Sequence, residues 1–162
     1  MRLASCELNG RTGHEAGRAL LEALYREETG TPLPTIEIGE WGKPFFKDSN
    51  WYFSISHTQK HTFCVLSGNN IAIDAEELDR RINPALAEKI LSPMEKTQFD
   101  AAIDKNKALL TFWVLKEAAA KLSGRGLRGY PRGTAFSLDD PRVRELDGCV
   151  VAILVEGETY AV

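Results

Sequence analysis

Apolar residues recur at helical spacing from His14 to Glu28, through Ala16, Ala19, Leu20, Ala23 and Leu24. Gly30, Pro32 and Pro34 close that helix. Ile36–Ile38 reads as a short strand, and Gly42-Lys43-Pro44 forces a turn. Trp51 to Ile55 and Thr62 to Leu66 read as strands joined by a loop over His57 to Lys60. Gly68-Asn69-Asn70 turns the chain into a third short strand, Ile71 to Asp74. The pattern then becomes helical. Asn83-Pro84 starts one segment, and Ser92 with Glu95 three residues on starts a second. A long apolar helix follows, roughly Lys105 to Leu122. Gly124, Gly126 and Gly129 open a loop. The tail predicts strands over Ala135 to Leu138, Val143 to Leu146, Val150 to Val155 and Thr159 to Val162, with turns at Asp147-Gly148 and Glu156-Gly157. Strands, then helices, then strands predict an α+β protein rather than a doubly wound sheet.

A length of 162 residues with 43% hydrophobic content suits one domain or two small lobes on a shared core. A net charge of −3 lends no support to general nucleic-acid binding. The charge is uneven along the chain: eight acids and four bases lie between Asp74 and Asp104, against seven bases and one acid between Lys105 and Arg132. Cys6, Cys64 and Cys149 are far apart and odd in number, which disfavours a disulfide framework or a zinc site. No signal-peptide run and no bilayer-length apolar stretch is visible, so the expected compartment is the cytoplasm, without membrane attachment.

The chemistry centres on Glu117, the one carboxylate of an otherwise apolar or alanine-rich helix. Glu117 and Lys121 are four apart and share a helical face, which serves either simple helix support or a site. Asp74 ends an apolar strand with Glu76 two residues on, so both side chains point one way. Such a pair can start an Mg²⁺ site, with Glu117 as a third carboxylate; taken alone, the commoner reading is that Asp74 caps a turn while Glu76 and Glu77 are solvated. Lys43, in its rigid turn, can hold a phosphate as a point charge, and His57 at a strand end can donate to one. Each also fits an ordinary surface position.

In order along the chain, Gly42-Lys43-Pro44, Ile55-Ser56-His57, Ile71-Ala72-Ile73-Asp74-Ala75-Glu76, Trp113-Val114-Leu115-Lys116-Glu117-Ala118-Ala119-Ala120-Lys121 and Gly124-Arg125-Gly126-Leu127 resemble the 4′-phosphopantetheinyl transferases, specifically the surfactin-synthetase type. The resemblance implies two similar small α+β lobes with pseudo-twofold symmetry: a shortened first lobe over residues 1–70, and a second over 71–162 bearing the metal site. It implies transfer of the 4′-phosphopantetheine arm of coenzyme A to a serine of an acyl or peptidyl carrier protein, dependent on Mg²⁺. By the same resemblance Asp74, Glu76 and Glu117 are metal positions, and Glu117 is also the base for the incoming serine. Lys116 and Lys121 lie near the pyrophosphate, and Lys43 and His57 hold the phosphates of coenzyme A. Ala72 stands where the family often has glycine, and the segment before Gly42 is short for a full first lobe. A monomer is the expected form, with a dimer covering an exposed edge left open. Arg125, Arg128 and Arg132 are candidate contacts for an acidic carrier. Two competing readings remain: a non-catalytic module binding coenzyme A or a carrier, and a metal-dependent hydrolase of nucleotide pyrophosphates.

Overall fold

The structure, a computed structural model, describes residues 1–125 and 134–158. Its first half contains β1 (Arg2–Glu7), α1 (Gly13–Thr29), β2 (Ile36–Ile38), β3 (Pro44–Phe46), β4 (Tyr52–His57) and β5 (His61–Ser67). The second contains β6 (Ile71–Glu77), a single 3₁₀ turn (Pro84–Leu86), α2 (Ala87–Ile90), α3 (Pro93–Ala101), α4 (Lys105–Ser123), β7 (Val143–Leu146) and β8 (Cys149–Val155). The fold is mixed α+β. Strands β1, β5 and β4 form one antiparallel sheet with β5 in the middle, and β6, β8 and β7 form another with β8 in the middle. With the 3₁₀ turn, α2 and α3 of the second half set aside, and β2 and β3 of the first, each half runs strand, helix, strand, strand and places its last strand at the centre. The β2–β3 hairpin is an insertion in the first half.

Strand alternation sets the layers. Cys64 and Leu66 on one face of β5 pack with Leu21, Leu24 and Tyr25 of α1. Phe63 and Val65 on the other face meet Ile71, Ile73 and Ala75 of β6 and Val151 and Ile153 of β8. Val150, Ala152 and Leu154 of β8 then pack under Leu109, Phe112, Leu115 and Ala119 of α4. The order is helix, sheet, sheet, helix, and the two sheets share a buried apolar seam.

Local signals explain the ends of the two long helices. Thr12 and Glu15 form a reciprocal capping box at the start of α1, which stops at Gly30 in the left-handed region (φ 69°). Asp104 caps α4 by accepting from the Lys107 N–H at 2.9 Å, and Gly124 ends it at φ 70°. The buried stripe of α1 is Ala16, Gly17, Leu21, Leu24 and Tyr25, whereas Ala19 and Ala23 face solvent. The expected stripe is therefore turned, because glycine lets the helix approach β4. A Cβ at Gly17 would lie 2.6 Å from Ile55 Cγ2, and one at Gly13 would lie 2.4 Å from His57 Cγ.

Strand β1, which was not among the expected elements, has no clear alternating pattern; its full register with β5, Arg2 opposite Leu66 to Glu7 opposite His61, makes it a strand. Two expectations need correction. Strand β4 continues through His57, so the connection to β5 is only Thr58 to Lys60. Ala135 to Leu138 is not a strand. The Phe136 N–H donates to Glu95 Oε1 at 3.0 Å and the Leu138 N–H to Gln98 Oε1 at 2.9 Å, so side chains of α3 replace a strand partner. The expected strand at residues 159–162 lies outside the described residues.

Candidate functional site at the junction of the two sheets

Strands β4 and β6 are edge strands, and they meet where the two sheets abut. No ladder joins them. Instead two buried serines of β4 accept backbone donors of β6: Ser54 Oγ from the Ile73 N–H at 3.1 Å, and Ser56 Oγ from the Ala75 N–H at 3.2 Å. This junction is the floor of a cleft lined by His57, Asp74, Glu76, Arg80, Trp113, Glu117 and Lys121.

Alternation on β6 sends Ile71, Ile73 and Ala75 into the seam and turns Asp74 and Glu76 to the α4 side. Asp74 is 7% exposed. Its Oδ1 accepts from Lys121 Nζ at 2.7 Å and from Ser56 Oγ at 3.1 Å. Lys121 Nζ also donates to the Ile73 carbonyl at 3.1 Å. Glu76 Oε1 accepts from the Trp113 indole N–H at 3.2 Å and pairs with the Arg80 guanidinium. Glu117 is partly buried on α4, one turn before Lys121 and one turn after Trp113. Burial pushes the Asp74 carboxyl up, against the opposing charge of Lys121. Burial also raises Glu117, and the neighbouring Asp74 charge raises it further.

The cleft continues into a narrower cavity of about 260 Å³, lined by Trp41, Lys43, Phe53, Ala120 and Gly124 and sharing Glu117 and Lys121 with the acidic floor. Lys43 is partly buried there. It donates to Asn70 Oδ1 at 2.7 Å and to the Leu122 carbonyl at 3.3 Å, at the negative end of α4. Burial lowers its pKa. His57 sits at the other end of the cleft, exposed, against Gly13 in the first turn of α1.

Of the candidate residues, Asp74, Glu76, Glu117, Lys121, Lys43 and His57 thus line one continuous cleft. Lys116 does not, and its expected place beside the pyrophosphate is corrected. Its side chain is buried on another side of α4, where Nζ lies 2.9 Å from Glu95 Oε2, donates to the Thr134 carbonyl at 3.1 Å and sits over the Phe136 ring. Adjacent helical residues point about 100° apart, so Lys116 and Glu117 diverge. Arg125 is exposed; Arg128 and Arg132 lie outside the described residues. Roles for Ser56, Arg80 and Trp113 were not evident in the sequence. Trp113 was within reach, since Trp113, Glu117 and Lys121 recur every four residues. Arg80 and Ser56 act across turns and between sheets, where no spacing rule points to them.

The acids offer hard oxygen ligands; the Glu76 charge adds to the rise of the Asp74 carboxyl, and the Asp74 and Glu76 charges add to that of Glu117. That chemistry fits a hard dication. Among the described residues, however, no three His, Cys, Asp or Glu side chains stand as a ready-made metal cage; Lys121 pairs with Asp74 and Arg80 with Glu76. No helix among the described residues is long and apolar enough to cross a membrane.

Comparison with known proteins agrees with this picture in outline. Residues 70–161 match the family model described as the 4′-phosphopantetheinyl transferase superfamily. Over 115 residues the chain is 35% identical to the 4′-phosphopantetheinyl transferase AcpT of Escherichia coli O157:H7, and equally to that of Escherichia coli strain K12. These alignments cover 67% of this chain and 56% of each relative, so the chain spans about half the length of the curated relatives it matches.

Proposed function

Because the chain belongs to the 4′-phosphopantetheinyl transferase superfamily, we propose that it moves the phosphopantetheine arm of coenzyme A onto a serine of an acyl or peptidyl carrier protein. The observation that carries this reading is that Asp74, Glu76, Glu117 and Lys121 line one cleft between two sheets, with Lys121 bonded to Asp74.

The reaction forms a bond from the serine oxygen to the β-phosphorus of coenzyme A and breaks that phosphorus's bond to the bridging oxygen. Adenosine 3′,5′-bisphosphate leaves. Such displacements need alignment and charge neutralisation more than covalent help. Glu117, which lines the cleft beside Lys121, takes the serine proton. Lys121 offsets charge on the departing phosphate. Lys43 and His57, at opposite ends of the cleft, hold phosphate groups of coenzyme A. Asp74, Glu76 and Glu117 would hold Mg²⁺, which when bound neutralises the pyrophosphate and polarises the reacting phosphorus.

The same reading takes residues 1–70 and 71–162 as two pseudo-twofold lobes of the surfactin-synthetase type, acting as a monomer. It is supported by the shared strand–helix–strand–strand order, with the last strand central in each half. A cytoplasmic location accords with three unbridged cysteines.

Incubation with coenzyme A, Mg²⁺ and a panel of apo carrier proteins tests the proposal. A carrier that gains one phosphopantetheine arm on serine supports it. Cleavage of coenzyme A with no gain on any carrier would make the protein a hydrolase. Binding without either reaction would make it a non-catalytic module.

A further inference from the structure

Ser54 and Ser56 occupy equivalent positions on β4. Both are buried, both accept an N–H of β6 across the junction, and the two bond lengths differ by little, at 3.1 and 3.2 Å. They differ in what the hydroxyl proton does. Ser56 donates it to Asp74 Oδ1 at 3.1 Å. Lys121 Nζ reaches the same oxygen, so both bonds to the carboxylate fall on Oδ1. Among the described residues, Thr62 Oγ1 is the one fully buried side-chain polar atom without a partner. Asp74 Oδ2, which has no hydrogen bond, therefore keeps contact with solvent in the cleft.

We propose that Ser56 is a positioning residue for Asp74. One hydroxyl ties the first half to the backbone of β6 and fixes the rotation of the carboxylate beside it, so that Oδ2 is presented to the cleft only when the two sheets are seated together. The inference rests on the metal-dependent reading above and adds to it a named coupling between lobe contact and metal site. Fixing the orientation of a ligand in advance removes an ordering cost that binding would otherwise bear.

Ser54→Ala is the matched control, since it removes the same kind of lobe contact and leaves Asp74 untouched. Mn²⁺ titrated into the protein without coenzyme A, read by calorimetry, reports the site independently of turnover. Ser56→Ala is expected to weaken that binding by about 10–100-fold, the range seen when a partner of a metal ligand is removed. Ser54→Ala is expected to lower the melting temperature yet keep wild-type affinity, and Ser56→Thr to restore it. If Ser56→Ala does not fold, Ser56→Cys, a slightly larger side chain that fills the site and is a weaker donor, carries the same comparison. Equal affinities for the two alanine variants, or no Mn²⁺ binding by the wild type, would overturn the proposal. The carrier assay on the wild type is read separately: transfer with no effect of Ser56→Ala on Mn²⁺ defeats this inference alone, and absence of transfer defeats the functional reading.

Discussion

Lys121 Nζ lies 2.7 Å from Asp74 Oδ1, joining residues 47 positions apart and bringing α4 onto β6 at the floor of the cleft. The pair is not symmetrical. Asp74 is nearly buried, whereas the Lys121 side chain is a third exposed. The carboxylate therefore depends on the lysine more than the lysine depends on it.

Lys121→Ala leaves Asp74 buried without its cation. The expected loss is about 1–3 kcal/mol of stability at neutral pH, together with transfer activity. Burial raises the Asp74 carboxyl, so acidification neutralises it early and the deficit relative to wild type shrinks as pH falls. Urea unfolding at pH 7 and pH 4 measures both effects. An equal deficit at the two pH values would show that the lysine contributes packing only.

Glu117→Gln separates function from stability. The folded protein raises this carboxyl above its ordinary value, so ionisation opposes folding. Below the unfolded-state value of about 4.3 the acid is neutral in both states and the substitution changes nothing. As pH rises through the raised folded value the wild type loses stability that the variant keeps. The variant should melt higher than the wild type at pH 7, match it near pH 4, and transfer no phosphopantetheine. A lower melting temperature at pH 7 would contradict the account of this site.

How much of this was legible in the chain depended on whether a contact is local. The helix start at Ser92 and the helix end at Gly124 follow from short-range rules, and the structure has them; the caps Thr12 and Asp104 obey the same rules but were not among the expectations. Strand β1 and the irregular run Ala135–Leu138 depend on distant partners, β5 and the side chains of Glu95 and Gln98. The acids could be listed from the sequence, but their counter-ions could not. Lys116 was misplaced by adjacency, since sequence neighbours on a helix point to different neighbours in space.

The buried Lys116–Glu95 pair gives a third prediction. Removing one member strands a charge in the core, so Lys116→Met should cost about 3–5 kcal/mol. The double substitution Lys116→Met with Glu95→Leu should recover most of that loss. Denaturant midpoints of the four proteins form the cycle. A double variant no more stable than Lys116→Met alone would mean that the Phe136 and Ser92 backbone donors, not the ion pair, dominate at Glu95.

Gly13 tests the place given to His57. An added methyl group would meet the imidazole ring, so Gly13→Ala must displace it. The KM for coenzyme A should rise, while that for a coenzyme lacking its 3′-phosphate should stay unchanged if His57 serves that phosphate. Parallel increases for both substrates would remove His57 from that role.

The central claim is most directly tested by the mass of an apo carrier protein after incubation with coenzyme A, Mg²⁺ and either the wild type or Glu117→Gln. The account predicts a serine-linked phosphopantetheine arm with the wild type and an unmodified carrier with the variant. A carrier modified equally by both proteins would contradict it.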